Sequence, residues 1–374
     1  MIRVRTTAQG QRRYDVRLRD PAGRVYTRTF RTRDEANNYA AQERVDRARG
    51  QWVDPRLSGT TFATWAVQWL DANPNKRPKT RVDDELVIRL HLNPSLGARG
   101  LGAITPLHVQ RLVSSWVGVA APATVHRRYA VLRAILNAAV DADVIGRSPC
   151  RGVKLPAIEV QPRYVLTVDE LTRLAEAIGP DYEAMVYIGA VLGLRIGEVI
   201  ALRVGRLDLL RGTLKVAESA IEVHGRTVYG APKSNAGRRT LAMPAPLVAM
   251  LAEHLRRRGL TAASRDALVF AGPTGGPVRY SNWQARVWAP ATEAAALPGL
   301  RFHDLRKLAA TSLVSAGVDV RTAQARLGHS DPRLTLIVYA QVTESADRSA
   351  ARVVGDLLMP SDQGDKETGS DTAR

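Results

Sequence analysis

Cysteine is almost missing from this 374-residue chain: Cys150 is the only one. A single thiol excludes an internal disulfide framework and any zinc site built on several cysteines, and it fits a reducing compartment. Lysine is scarce too, with seven residues against 47 arginines. Phe, Trp and Tyr supply only 5% of the chain. No apolar run approaches the roughly 18 residues of a membrane span. The stretch Met1 to Arg13 is basic with no apolar core, so it does not read as a signal peptide, and a cytoplasmic location is expected. There is no Walker-type phosphate loop and no acidic cluster of the two-metal kind.

Acidic residues are also in deficit, 36 against 54 basic ones, for a formal charge of +18 and a pI near 10.7. Such an excess favours a polyanionic partner, because each phosphate neutralised releases condensed counterions. Codon usage in a GC-rich genome accounts for much of the arginine, so the arginine count alone says little about function. The apolar fraction of 45% supports real cores.

The pattern divides the chain into a mainly α, multidomain protein with small β-sheets. Residues 1–57 read as a small basic α+β module, with 14 arginines against seven acidic residues. Within it Arg12–Arg19 and Val25–Phe30 read as strands around an Asp20–Gly23 turn, and Arg33–Arg49 as a helix. Arg12, Arg13, Arg17 and Arg19 are its candidate DNA contacts. Residues 60–155 read as all-helical: Phe62–Leu70, Arg81–His91, Pro106–Trp116 and a long helix over Thr124–Ala142. Arg127, Arg128 and Arg133 are expected to give that last helix a phosphate-facing side. Two prolines make Lys154–Arg163 an extended linker. A third domain over 163–358 opens on a capping box, Thr167 with Glu170. A buried helix over Met185–Leu192 follows, then strands over Gly212–Val223, Thr227–Ala231 and Arg238–Met243, then mainly helix from Pro246 onward. The polar tail 360–374 reads as disordered.

Five short motifs carry the chemistry. Gly193-Leu194-Arg195-Ile196-Gly197-Glu198 follows the buried helix. Pro232-Lys233-Ser234 lies between strands. His303-Asp304-Leu305-Arg306 is helical, which puts His303 and Arg306 on one face. Leu327-Gly328-His329 precedes Tyr339 by ten residues. A phenol has a pKa near 10, so it becomes a nucleophile only with a proton acceptor and a cationic pocket. In this order and spacing the motifs resemble the tyrosine recombinase, or phage-type integrase, family over roughly 163–350.

The resemblance implies a site-specific DNA recombinase, the integrase of a phage or other mobile element. Tyr339 would be the nucleophile, forming a 3′-phosphotyrosine. Arg195 and Arg306 would bind the non-bridging oxygens, with Lys233 as general acid and Lys215 as its fallback. His303 would assist as base and His329 would bond a phosphate oxygen. Glu198 is expected to orient the helix around Arg195 without taking part in the chemistry. Asp331 and Pro332 would start a short helix carrying Tyr339. The same resemblance implies an arm-site module at 1–57 and a SAM-like core-binding domain at 60–155. It further implies four protomers on double-stranded attachment sites, with a directionality factor and a DNA-bending host protein as accessory partners. The segment Ala346–Leu358 would dock on a neighbouring protomer. No cofactor, metal or membrane is expected. One departure is Lys307-Leu308, where the family commonly has His-Thr. A type IB-like topoisomerase shares the chemistry, but the three-part layout argues against it. A catalytically inactive DNA-binding regulator is opposed by the presence of all six candidate residues.

Overall fold

The computed structural model describes residues 2–19, 25–48, 55–159, 164–232, 235–329 and the single positions 331, 333 and 336. Lys233, Tyr339, the Asp20–Gly23 turn, the docking segment Ala346–Leu358 and the tail 360–374 lie outside the described residues. Contacts divide the chain into two units, Met1–Gln161 and Pro162–Arg374.

The first unit opens on a three-stranded antiparallel sheet in the order β1-β2-β3, formed by Ile2–Thr6, Arg12–Arg19 and Val25–Phe30. Alternation along β2 puts Val16 under the helix Arg33–Ala48, where Val16 and Ala36 are fully buried. The strand β1 was not expected: five residues with two apolar positions carry too little pattern, and pairing with β2 supplies the rest.

The following helices are Phe62–Asp71, Pro78–Val87, Pro106–Trp116 and Pro122–Asp141. Thr61 and Thr105 cap the first and third, each accepting from the backbone three residues on. The last begins two residues before the expected Thr124, with Pro122 in its first turn, where a missing N–H costs nothing. Their shared core is built on Phe62, Leu92, Trp116, Leu132, Ile135 and Leu136. Trp65 Nε1 donates to the Ile135 carbonyl at 3.0 Å, and the Tyr129 hydroxyl donates to the carbonyl of the buried Cys150 at 2.6 Å.

The second unit starts at the capping box the sequence predicts. Thr167 accepts from Glu170 N–H, and Glu170 Oε2 accepts from Thr167 N–H at 2.8 Å. A short helix, Glu183–Tyr187, runs into a π-helical turn, Ile188–Leu192. That turn packs against the helix Phe302–Ser315 at closest approach through Gly189, where an added Cβ would lie 2.9 Å from Leu305 Cδ1. The expected strand over Gly212–Val223 is in fact two. Strand β5 (Thr213–Val216) pairs with β4 (Leu207–Asp208) and β8 (Arg239–Ala242). Strand β6 (Ser219–Val223) forms a separate hairpin with β7 (Arg226–Gly230). No glycine or proline marks the break at Ala217-Glu218, and long-range pairing decides it. The hairpin turns at the exposed His224, whose φ of 48° lies in the left-handed region, followed by Gly225.

The described part of the unit goes on with helices Ala245–Arg257, Tyr280–Trp283, Ala289–Ala294, Phe302–Ser315 and Val320–Leu327, and a π-helical turn Gln284–Trp288. The region is mainly helix, as expected, with one long non-helical stretch over residues 258–279. The core gathers Trp283, Trp288, Phe270 and Phe302, and Trp288 Nε1 donates to the Leu300 carbonyl at 2.8 Å. Among the described residues no helix is long and apolar enough to cross a membrane.

Candidate active site

Three of the sequence motifs meet in the second unit. Leu192 ends the π-helical turn, and Gly193 takes left-handed φ, ψ of 66° and 29°. That reversal aims Arg195 away from the core while Leu194 stays fully buried. Glycine is required there twice over, because an added Cβ would also lie 2.6 Å from Leu327 Cδ2. Arg195 then caps the helix Ile196–Ile200. The Arg195 backbone N–H donates to Glu198 Oε2 at 3.1 Å, its Nη1 to Glu198 Oε1 at 2.9 Å and its Nη2 to the Gly328 carbonyl at 3.1 Å.

Arg306 sits on the helix Phe302–Ser315 with 3% of its surface exposed. Its two terminal nitrogens donate to the carbonyls of Gly193 and Leu327. Arg195 and Arg306 therefore grip the same Leu327-Gly328-His329 turn from two directions. Gly328 is left-handed, with φ of 65°. Burial, and next the neighbouring Arg195, push the Arg306 guanidinium down to about 9. It remains charged at neutral pH, and an anion in the pocket would relieve the repulsion.

Both histidines are shifted toward the neutral form. Burial first, then Arg306, lowers His303 below the ordinary imidazole value. The same causes, with Arg195 added, push His329 down to about 4. A neutral imidazole keeps one acceptor nitrogen, as a base or a hydrogen-bond partner requires.

Glu198 is the buried acid of the site, 3% exposed. Burial pushes its carboxyl up, but Arg239 and Arg195 outweigh that and hold it below the usual range. Arg239, at the start of β8, was not among the candidates. Its fork spans the carboxylate, with Nη2 to Oε2 at 3.0 Å and Nη1 to Oε1 at 3.4 Å. Only a second basic residue beside Arg238 marks this position in the sequence, and Glu198 lies 41 residues away.

Lys307, the departure from the family pattern, forms an ion pair with Asp304 one turn back, whose other oxygen accepts from Arg301 N–H. The substitution thus fastens the helix start. Lys215 lies on β5 with its side chain exposed, paired in register with Thr240 of β8. Asp331 accepts from Arg333 N–H at 3.0 Å, and the single described positions Arg333 and Leu336 are helical. Lys233 and Tyr339 fall outside the described residues, so three motifs are brought together here and two are not placed.

The expected DNA contacts divide. Along β2, Arg13, Arg17 and Arg19 alternate onto the face opposite the helix. Arg12 falls on the same side as Tyr14 and Val16 and is exposed there. Arg3 and Arg5 of β1 join the outer face through their pairing with Asp15 and Arg13. Arg127, Arg128 and Arg133 do not share one side, because a helix turns about 100° per residue. Arg127 is committed to the buried Asp84 at 2.6 Å, beside Lys76. Arg128 lies over the Trp116 ring, 5.7 Å from its centroid, while Arg133 is exposed.

Comparison with known proteins places this geometry. Residues 164–346 match the phage integrase family, and residues 61–117 match the phage integrase N-terminal SAM-like domain. The chain is 30% identical to the prophage phiRv2 integrase of Mycobacterium tuberculosis over 357 residues, 92% of this chain and 93% of that protein. It is 27% identical to the integrase of Mycobacterium phage D29, across 88% of this chain and 89% of the relative. Among solved structures, the Tn1549 transposon integrase in complex with a circular intermediate DNA superposes with a TM-score of 0.69 at 18% identity, covering 79% of this chain and 99% of that one. A lambda integrase tetramer bound to a Holliday junction gives 0.56, also at 18% identity, covering 90% and 94%.

Proposed function

The chain belongs to the phage integrase family and is a site-specific tyrosine recombinase, and on that premise we propose that the Arg195–Arg306 pocket holds a scissile DNA phosphate for attack by Tyr339. The observation that carries this reading is the shared turn. Guanidiniums from two distant motifs are fixed on adjacent carbonyls, Gly328 and Leu327, with the neutral His329 next in sequence. Fixed cations aimed at developing charge are often the largest contribution to phosphoryl transfer.

In the cleavage step the Tyr339 hydroxyl oxygen bonds to phosphorus as the P–O5′ bond breaks. The phenolic proton passes to His303, and Lys233 gives a proton to the departing 5′-oxygen. A 3′-phosphotyrosine and a free 5′-hydroxyl result, and attack by a 5′-hydroxyl from the partner strand reverses the step. His329 bonds a non-bridging oxygen. The bond energy is retained in the protein–DNA link, so no external energy source enters.

The partner is double-stranded DNA at attachment sites. Four protomers exchange strands in two steps through a Holliday junction, in the cytoplasm, with a directionality factor and a DNA-bending protein setting the outcome. Residues 60–155 grip the core site and residues 1–57 an arm site, with Arg3, Arg5, Arg13, Arg17 and Arg19 presented on one sheet face. A suicide duplex drawn from the DNA flanking the gene tests the reading. The full chain is expected to trap a covalent adduct, and Tyr339→Phe to trap none. An adduct in the Phe variant, or none in the wild type, overturns the proposal.

A further inference from the structure

Glu198 and Arg239 form a sealed pair, their side chains 2% and 7% exposed, while 35% of the Arg195 side chain reaches solvent. Arg239 lays its fork across both carboxylate oxygens. Arg195 gives the carboxylate one terminal nitrogen and turns the other to Gly328. Arg239 also donates from Nε to the Arg326 carbonyl at 2.8 Å, and from Nη1 to the Gly237 carbonyl at 3.0 Å. It thus joins the carboxylate under Arg195 to the helix Val320–Leu327, which ends two residues before His329, and to the segment that follows Lys233 in sequence.

We propose that Arg239 is a positioning residue for strand cleavage: it takes up the charge of Glu198 and so leaves the full charge of Arg195 to the scissile phosphate. The charge count supports this. Arg195, Arg239 and Arg306 with Glu198 leave two net positive charges, which match the two negative charges of a pentavalent phosphorane. Without Arg239 the count falls to one. The buried carboxylate would then have Arg195 as its remaining cationic partner in this set, and would draw that fork inward. A buried charge stripped of a partner cannot be left uncompensated. Glu198 itself remains useful, because it fixes the Arg195 backbone and one face of its guanidinium.

The inference rests on the reading that Arg195 and Arg306 bind the scissile phosphate, and its test separates the two. Single-turnover adduct formation is measured with the full chain on two suicide duplexes from the DNA flanking the gene. One carries a phosphodiester at the scissile position and the other a methylphosphonate, which has one negative charge fewer throughout the reaction. The ratio of the two rates within each variant is independent of its folded fraction. Arg239→Met is expected to slow the phosphodiester by roughly a hundredfold or more, the scale of losing one preorganised charge partner. It is expected to slow the methylphosphonate far less. Arg239→Lys is expected to keep a near wild-type ratio. If Arg239→Met does not fold, the neutral pair Arg239→Gln with Glu198→Gln decides, since it restores two net charges and is expected to keep the wild-type ratio. Equal slowing on both substrates by Arg239→Met, or a Gln pair whose ratio is lost, overturns the inference. A wild type that forms no adduct on either duplex overturns the underlying reading instead.

Discussion

Gly328 offers the sharpest single test of how the pocket is built. It is left-handed, and a methyl added there would lie 2.8 Å from the Ala236 carbonyl oxygen and 3.0 Å from Arg239 Nη1. Left-handed backbone costs a residue with a side chain about 1–2 kcal/mol. Moving a backbone oxygen a few tenths of an ångström adds about 1 kcal/mol, the low end of overpacking. Gly328→Ala is therefore expected to lose about 2–3 kcal/mol, which lowers a thermal midpoint by roughly 4–12 °C in a unit of this size. Its carbonyl is also the acceptor of Arg195 Nη2. Misplacement by an ångström costs about a hundredfold in rate, so a shift of half that is expected to slow adduct formation by roughly tenfold. Gly259→Ala is the control. It has φ of 62° with nothing near the added methyl, and it follows the helix Ala245–Arg257 outside the site. It should show the backbone penalty alone and cleave at the wild-type rate. Scanning calorimetry and single-turnover cleavage measure both. A Gly328→Ala protein that matches the control in midpoint and the wild type in cleavage would refute the reasoning.

Two further outcomes follow from the same geometry. Arg306→Lys keeps the charge, but one ammonium cannot present the planar fork that reaches both the Gly193 and Leu327 carbonyls. Adduct formation is expected to fall by roughly 10²–10³, with DNA affinity in a gel-shift assay little changed. The pH dependence of stability should carry the mark of His329, whose folded pKa of about 4 lies below its ordinary 6.5. The unfolded chain binds the proton more readily, so this contribution is fully present above about pH 6.5 and is lost as pH falls toward about 4. Urea midpoints across that window should decline less steeply for His329→Gln than for wild type, and equal slopes would contradict the shift. His303 acts in the same sense, so part of the decline should persist in the variant.

What the sequence makes legible is what short range decides. The Thr167–Glu170 box and the helix Pro106–Trp116 stand where local capping and periodicity put them. What it hides depends on pairing with distant chain. Strand β1 has little pattern of its own, and the break between β5 and β6 falls at Ala217-Glu218, with no glycine or proline to mark it. Arg127 looks like a phosphate contact until Asp84, 43 residues earlier in the chain, is seen beneath it. Arg239 is the same case in the site, a basic residue on a strand whose partner belongs to another motif.

The motif glycines show how the three placed motifs depend on one another. In sequence, Gly193 and Gly328 are single letters in two separate motifs. In the fold each is left-handed, each is crowded where a side chain would begin, and each offers its carbonyl to the arginine of a different motif. Gly193 accepts from Arg306, Gly328 accepts from Arg195, and Leu327 accepts from Arg306 in turn. The three segments thus form a closed ring of guanidiniums and carbonyls. Moving any one of them moves both arginines, so none of the three can shift without disturbing the pocket proposed for the phosphate. A ring of this kind cannot be read from spacing, because its links are backbone atoms whose positions depend on the fold.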